Sequence, residues 1–322
     1  MEPGGPQGHD GVVHTLDEAL AYYRLAAQAE GKSPKTIAWL TASVGYFAQF
    51  LGPGVNLGDI TGQDLRRFIA ALRESKKYRS HPYHLPQEKK LAPESIASYV
   101  RAVRTLFSFL HREEIIPANP MEKVRVPRTP RKLIRAFTEE ALKRLLSLPD
   151  RSNPNGFRDY TILLLLVDTG LRLSELVGLR LEDVEIQGGY LKVMGKGGRE
   201  RLVPMGARAA KALAKYQMQF RPNSEAQAFF LCRDGRPLTA DRVQKMMAAY
   251  GRKAGISGIR CSPHTLRHTS AVLYLRSGGD PFTLQKKLGH ATLTMTRHYS
   301  ELADADVQAA HRKFSPADRL GL

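Results

Sequence analysis

Apolar residues recur at helical spacing four times in the first third of the chain. Leu16, Ala19, Leu20 and Tyr23 follow Thr15 and Glu18, a capping box that opens a helix. Ser33 caps a second helix with Pro34 at its first position, where a missing N–H is no loss, and Ile37, Leu40, Val44, Phe47 and Leu51 form its stripe. Thr61 starts a third through Leu65, Phe68, Ile69 and Leu72, and a fourth follows Pro93 with Ile96, Val100, Val103, Phe107 and Leu110 on one face. The pattern predicts a small helical bundle.

Two stretches break the period. Residues 75–91 are polar and contain Lys76, Lys77, Arg79, Lys89 and Lys90 with two prolines, which reads as a solvated loop or as a loop laid on a nucleic-acid backbone. Residues 117–135 interleave Pro117, Pro120, Pro127 and Pro130 with Lys123, Arg125, Arg128, Arg131 and Lys132. Prolines exclude a helix there, so the stretch reads as a basic linker that runs along phosphates.

Further on, Thr138 with Glu139 and Glu140 opens a helix, and residues 160–168 form a buried one that ends near Gly170. The period then changes to two. Residues 184–187, 190–194 and 200–203 alternate between turns at Gly188-Gly189 and Gly195-Lys196-Gly197-Gly198, a three-stranded antiparallel meander. Helices are expected from Ala207 to the end. The fold class is mainly α with a small antiparallel β-meander (α+β), divided into a flexible N-terminus (residues 1–14), a helical domain (15–118), a basic linker (119–135) and a second domain (136–322).

Composition narrows the partner. The 322 residues include 49 Lys and Arg against 31 Asp and Glu, a formal charge of +18, which favours a polyanion over an anionic membrane. Residues 1–130 hold 17 basic and 13 acidic side chains, and residues 131–322 hold 32 and 18, so most of the field belongs to the second domain. Cys232 and Cys261 stand in no Cys-x-x-Cys pair and near no His at ligand spacing, which supports neither a disulfide framework nor a zinc site, and no metal is expected. The longest apolar run, residues 162–167, is far too short for a membrane span, and residues 1–10 lack the apolar segment of a signal peptide. A soluble, cytoplasmic protein without a membrane partner is expected.

Four short segments carry candidate chemistry. In Ser262-Pro263-His264-Thr265-Leu266-Arg267-His268 a good N-cap precedes a proline, and His264 and Arg267 share a face of the first turn. An oxyanion placed there meets amides, a guanidinium and an imidazole. In Thr169-Gly170-Leu171-Arg172-Leu173-Ser174-Glu175, Gly170 ends one helix and Glu175 sits three residues from Arg172, either orienting the guanidinium or forming an ordinary helix-surface pair. Lys196 occupies a glycine-flanked hairpin tip. Asp280 and Pro281 start a helix that Gly289 stops, leaving His290 just past its end and Tyr299 on the next short helix. Singly, each has a bland reading as surface helix, hairpin lysine or core tyrosine.

Together they resemble the tyrosine recombinase (phage integrase) family, whose catalytic domain shows Arg, Lys, His-x-x-Arg, His or Trp, and Tyr in that order. Here the order is Arg172, Lys196, His264 with Arg267, His290 and Tyr299, and the words Thr-Gly-Leu-Arg, Gly-Lys-Gly-Gly-Arg, His-Thr-Leu-Arg-His and Leu-Gly-His match the family's style. The resemblance implies that residues 15–118 are a core-binding DNA-binding domain and residues 136–322 the catalytic domain. It implies a simple, Xer-like recombinase with no separate arm-site domain before the first helix, although residues 75–91 are longer than the tight turn usual in such members.

The resemblance also implies a mechanism. Tyr299 attacks the scissile phosphate and the 5′ oxygen leaves. Arg172 and Arg267 neutralise the non-bridging oxygens, Lys196 protonates the leaving oxygen, His264 helps manage the Tyr299 proton, His290 bonds the phosphate and Glu175 orients the site. Because a phosphotyrosyl ester keeps the bond for another strand's hydroxyl, no ATP, metal or other cofactor is required. The implied partners are double-stranded DNA recombination sites and three further copies of the chain, with a helix through Ala303, Val307, Ala310 and Phe314 donated to a neighbour in a homotetramer. Lys76, Lys77, Arg101, Arg104, Arg125, Arg128 and Lys132 are the candidate DNA contacts. A type IB topoisomerase and a non-catalytic DNA-binding protein are the competing readings.

Overall fold

In the computed structural model, residues 13–76, 90–129, 135–195, 198, 200–289 and 315 are described. Caps decide where the first helices begin. At the head of α1 (Leu16–Ala29) the Glu18 amide donates to Thr15 Oγ1, and the Thr15 amide donates back to the Glu18 carboxylate at 3.0 Å. Ser33 caps α2 (Pro34–Leu51), Thr61 and Asp64 form the same reciprocal box at α3 (Gly62–Glu74), and Pro93 opens α4 (Pro93–Arg112). Their apolar stripes meet in one core, where Leu40, Phe47, Phe68, Leu106 and Phe107 are buried.

The stretch read as linker is divided. Met121 and Val124 are buried in the bundle core at 1% and 3% exposure, and the Arg104 guanidinium donates to the Val124 carbonyl. The apolar residues at 121, 124 and 126 are what hold this turn and the chain after it down, so residues 119–126 belong with the bundle rather than with a free linker. The chain separates into two compact units, residues 1–132 and 133–322.

The second unit opens with α5 (Glu139–Ser147), capped by Thr138. Helix α6 (Pro154–Thr169) starts six residues before the expected position, because Asn153 caps it and Pro154 takes the first turn. It stops at Gly170, whose φ of +67° is left-handed, and α7 (Leu173–Val177) follows. The meander is present as β1 (Val184–Glu185), β2 (Tyr190–Met194) and β3 (Glu200–Pro204), antiparallel in the order β1-β2-β3, with Leu191 facing both Val184 and Val203. Strand β1 is shorter than expected because the turn already begins at Ile186, whose carbonyl accepts from the Gly189 amide.

The expectation of helix from Ala207 onward fails over residues 221–239. After α8 (Ala207–Lys215) and one π-helical turn, the chain runs irregularly, with single bridges from Arg180 to Ala228 and from Leu231 to Pro237. Pro222 and Pro237 lack the N–H that a helix needs, Gly235 turns at a φ of +78°, and Phe229, Phe230, Leu231 and Cys232 bury into the core as an extended run. Helices resume as α9 (Ala240–Lys253), α10 (Pro263–Arg276) and α11 (Pro281–Leu288). Helix α10 lies on α6, and α11 lies against both α10 and β3. Among the described residues no helix is long and apolar enough to cross a membrane.

Candidate active site

The last carbonyls of a helix have no partner within it, and the ends of α6 and α11 bring theirs to the same place. A Cβ on Gly170 would lie 2.8 Å from Leu288 Cδ2, so the glycine permits both the left-handed cap and the close approach of the two helix ends. Arg267, on the first turn of α10, bridges them: Nη1 donates to the Gly170 carbonyl at 2.7 Å and Nη2 to the Leu288 carbonyl at 2.6 Å. Its side chain is buried.

Arg172 reaches the same helix end from the other side. As N-cap of α7 it stands next to Leu171, and its Nη2 donates to the Gly289 carbonyl at 2.9 Å. A third arginine, Arg201 of β3, donates from Nε to the Lys287 carbonyl at 3.1 Å. Three consecutive carbonyls, those of residues 287, 288 and 289, are thus each met by a guanidinium from a different element. Lys287 in turn donates its Nζ to the Asp168 carbonyl at 2.9 Å; burial lowers its pKa, with Asp168 opposing.

Glu175 holds two of these arginines. Its carboxylate accepts the Arg172 amide at 2.9 Å, Arg172 Nη1 at 2.8 Å, and both Nη atoms of Arg201 at 2.8 and 2.9 Å. Burial pushes the carboxyl pKa up, yet the hydrogen bonds from Arg201 and Arg172 outweigh it and bring the group to about 2. The carboxylate is therefore ionised, and Arg172 and Glu175 are not the ordinary surface pair that their spacing allows. The Glu175 side chain is only 2% exposed, whereas that of Arg172 is 34% exposed.

His264 sits on the first turn of α10, at its exposed edge. Ser262 accepts the Thr265 amide, so the N-cap already uses one of the donors at this helix start. The His264 Nε2 lies 2.9 Å from Nε2 of the buried His268, with the rings edge to face. Partial burial first, and the nearby Arg267 charge second, lower the His264 pKa, so the neutral imidazole is favoured. Thr269 Oγ1 on the same helix accepts the Phe137 amide at 3.0 Å and fixes the start of this unit to α10.

Arg172, Glu175 and Arg267 therefore come together and His264 stands one turn from Arg267 on α10, while Lys196, His290 and Tyr299 lie outside the described residues. Sequence reasoning missed Arg201. The signal was faint: on β3 the leucine, Leu202, is 59% exposed and the arginine occupies the inward register with Val203. In the first unit Lys76, Arg101, Arg125 and Arg128 are exposed, Arg104 is partly committed to the Val124 carbonyl, and Lys77 and Lys132 lie outside the described residues. Arg66 and Arg73, not singled out from sequence, line a basic cavity of about 400 Å³ with Lys123 and Arg125. Among the described residues no group of three or more His, Cys, Asp or Glu could hold a metal ion.

Two guanidiniums held at one helix end, with an imidazole one turn away on a mainly helical unit, are groups of the kind that suit a phosphate diester. Residues 135–306 match the phage integrase family. Over 316 residues the chain is 34% identical to the tyrosine recombinase XerC of Pelotomaculum thermopropionicum, covering 94% of this chain and 98% of that protein. It is 29% identical over 295 residues to the tyrosine recombinase XerD of Listeria innocua, covering 89% and 94%. The Tn1549 transposon integrase, solved in complex with transposon right end DNA, shares the fold with a TM-score of 0.70 at 19% identity, over 90% of this chain and 98% of that one. The chain belongs to the phage integrase family, and it is a tyrosine-class, site-specific DNA recombinase.

Proposed function

We propose that the protein cleaves and rejoins duplex DNA at a recombination site through a covalent 3′-phosphotyrosyl bond to Tyr299, as a simple Xer-like recombinase acting in the cytoplasm. One observation carries this reading: Arg172 and Arg267 are held on the adjacent carbonyls of Gly289 and Leu288, with His264 on the same helical turn as Arg267. Two fixed positive charges at that spacing suit the two non-bridging oxygens of one phosphodiester, and each such contact is worth on the order of 3 kcal/mol in the transition state.

In the proposed step the Tyr299 oxygen attacks phosphorus, the bond from phosphorus to the 5′ oxygen breaks, and the DNA 3′ phosphate remains on the tyrosine. Lys196 gives a proton to the leaving 5′ oxygen. His264 accepts or relays the phenolic proton, and His290 hydrogen-bonds the phosphate. A 5′ hydroxyl from a second strand reverses the same events, so bond energy is conserved without an external source. Glu175 orients Arg172 and touches no reacting atom. Four protomers on two sites, linked by a donated C-terminal helix, complete the cycle; deleting the residues after Ser300 weakens pairing of two sites more than binding to one.

The test uses a duplex selected from a random-sequence pool by binding to the Tyr299→Phe protein, then nicked near the site so that cleavage traps the adduct. The wild type yields a protein–DNA adduct through a 3′ phosphate, and Tyr299→Phe binds the same duplex without forming it. An equally abundant adduct from Tyr299→Phe would overturn the assignment. Relaxation of any supercoiled plasmid at comparable rates would mark a topoisomerase instead.

A further inference from the structure

Arg201 lies outside the family's ordered constellation, yet it touches two elements that carry it. Its Nη atoms fork across both oxygens of Glu175, and its Nε takes the Lys287 carbonyl at the end of α11. Gly289 leaves it room, since a Cβ there would come 3.0 to 3.1 Å from the Nε, Cδ and Cζ of Arg201. Its side chain is 15% exposed. The contacts close a ring: Arg201 to Glu175, Glu175 to Arg172, Arg172 to the Gly289 carbonyl, and that helix end back to Arg201.

The ring limits what Arg172 can do. A carboxylate and a lone guanidinium prefer to pair through two parallel hydrogen bonds. Arg201 already occupies both oxygens of Glu175, so the Arg172 guanidinium, beside its own main-chain amide, engages the carboxylate through Nη1 alone, and its Nη2 is held on Gly289. Remove Arg201 and the arrangement loses its reason: Arg172 is drawn into a two-bonded pair with Glu175, away from the Leu288-Gly289 corner that Arg267 shares. We infer that Arg201 is a positioning residue for strand cleavage, which locks Glu175 and the end of α11 together and so aims the Arg172 guanidinium at the phosphate. This rests on the function proposed above.

Strand β3 also begins close after Lys196 in sequence, so the strand that carries Arg201 leads directly from the proposed proton donor to the proposed phosphate clamp. A lysine at 201 retains charge but not the fork, because an ammonium is a point donor that cannot span two carboxylate oxygens and a carbonyl in one plane. Among the described residues, the charged groups that pair with Glu175 are Arg172 from the cap of α7 and Arg201 from β3, while Lys287 of α11 is turned to the Asp168 carbonyl.

The experiment is single-turnover cleavage of the selected, nicked duplex by the full-length wild type, Arg201→Lys, Arg201→Gln, Glu175→Gln and the double variant Arg201→Gln/Glu175→Gln, across pH. Duplex affinity stays within about threefold, while Arg201→Gln cleaves about 10- to 100-fold more slowly and Arg201→Lys recovers part of the loss. In Arg201→Gln the acid side of the rate profile moves to higher pH, as Glu175 loses one of its two cations, and this limb is missing from the double variant. In the Glu175→Gln background the Arg201→Gln change costs less than about threefold, the non-additivity of residues acting as a unit. Cleavage by Arg201→Gln at the wild-type rate, or a full additive loss with an unmoved pH profile, would overturn the inference. Should Arg201→Gln fail to fold, Arg201→Lys decides, since a wild-type rate and profile in that variant would refute the positioning role equally. A wild type that forms no adduct sinks the proposed function instead, so the two failures are distinguishable.

Discussion

Arg172 and Arg267 donate to neighbouring carbonyls of a single helix end, Arg172 Nη2 to Gly289 at 2.9 Å and Arg267 Nη2 to Leu288 at 2.6 Å. They come from different helices, ninety-five positions apart in the numbering, and the end of α11 is what sets their separation. Although their proposed chemistry is the same, their structural settings differ, and this separates the outcomes expected on mutation.

Replacing either arginine by alanine should leave duplex binding largely intact and reduce adduct formation by about 10²- to 10³-fold. Stability should distinguish them. Arg267→Ala leaves the buried carbonyls of Gly170 and Leu288 without this donor and should cost about 2–6 kcal/mol, at roughly 1–3 kcal/mol per buried group. Arg172→Ala, at a part-exposed side chain with Arg201 still on Glu175, should cost about 1 kcal/mol or less. Urea unfolding and a gel-shift titration measure both; a collapse of binding would make the arginines structural groups.

Glu175 should give the native state an acid-labile contribution. Its carboxyl has a pKa of about 2 when folded against an ordinary 4.5, so the unfolded chain binds the proton more readily. The stabilisation is complete above pH 4.5 and is lost as pH falls from there through about 2. Its size is on the order of 3 kcal/mol from the difference in pKa. Urea midpoints collected from pH 6 down to pH 3 should fall less steeply in Glu175→Gln than in the wild type; parallel curves would contradict the ion-pair account.

Gly170→Ala should be far more damaging than Gly189→Ala, although both glycines have nearly the same positive φ, +67° and +68°. The conformational strain is common to both, about 1 kcal/mol. At Gly170 the new methyl also meets Leu288 at 2.8 Å, whereas at Gly189 the nearest atom is the Met205 carbonyl oxygen at 3.7 Å. Thermal melts of the two variants should therefore differ by several degrees, and equal melting temperatures would show that the ends of α6 and α11 do not meet as described.

His264 should titrate below the ordinary histidine value of 6.5, because burial and then the Arg267 charge disfavour its imidazolium. A depressed histidine contributes stability that is present above 6.5 and is lost as pH falls through the folded value. Nitrogen-detected NMR of the imidazoles, with His264→Gln to assign the resonance, reads the midpoint directly. A midpoint at or above 6.5 would place a cation beside Arg267 and contradict the neutral form used in the proposed mechanism.

Much of this fold was legible because local chemistry and tertiary context agree. Thr15 with Glu18, Ser33 with Pro34 and Thr61 announce their helices by caps that the structure uses, and the glycine pairs around 188 announce the meander. Legibility fails where tertiary contacts decide. Nothing local tells Phe229 to Cys232 that they fill the core as an extended run, although Pro222, Gly235 and Pro237 argue against helix. Met121 and Val124 look like punctuation in a proline-rich linker until the bundle offers them a core. In the site, Arg172, Glu175, His264 and Arg267 were readable from their order along the chain. Arg201 was not, because alternation on β3 leaves two faces to choose between, one with Leu202 and one with Arg201 and Val203, and only the buried Glu175 carboxylate favours turning the arginine inward.

The three arginines grip α11 by its main-chain oxygens, and a peptide oxygen is the same whatever side chain its residue carries. An exposed position such as Lys286 on that helix can therefore be exchanged without removing any of these three contacts. Such a helix can acquire a new set of outward-facing groups while the main-chain grip on its end goes on unchanged.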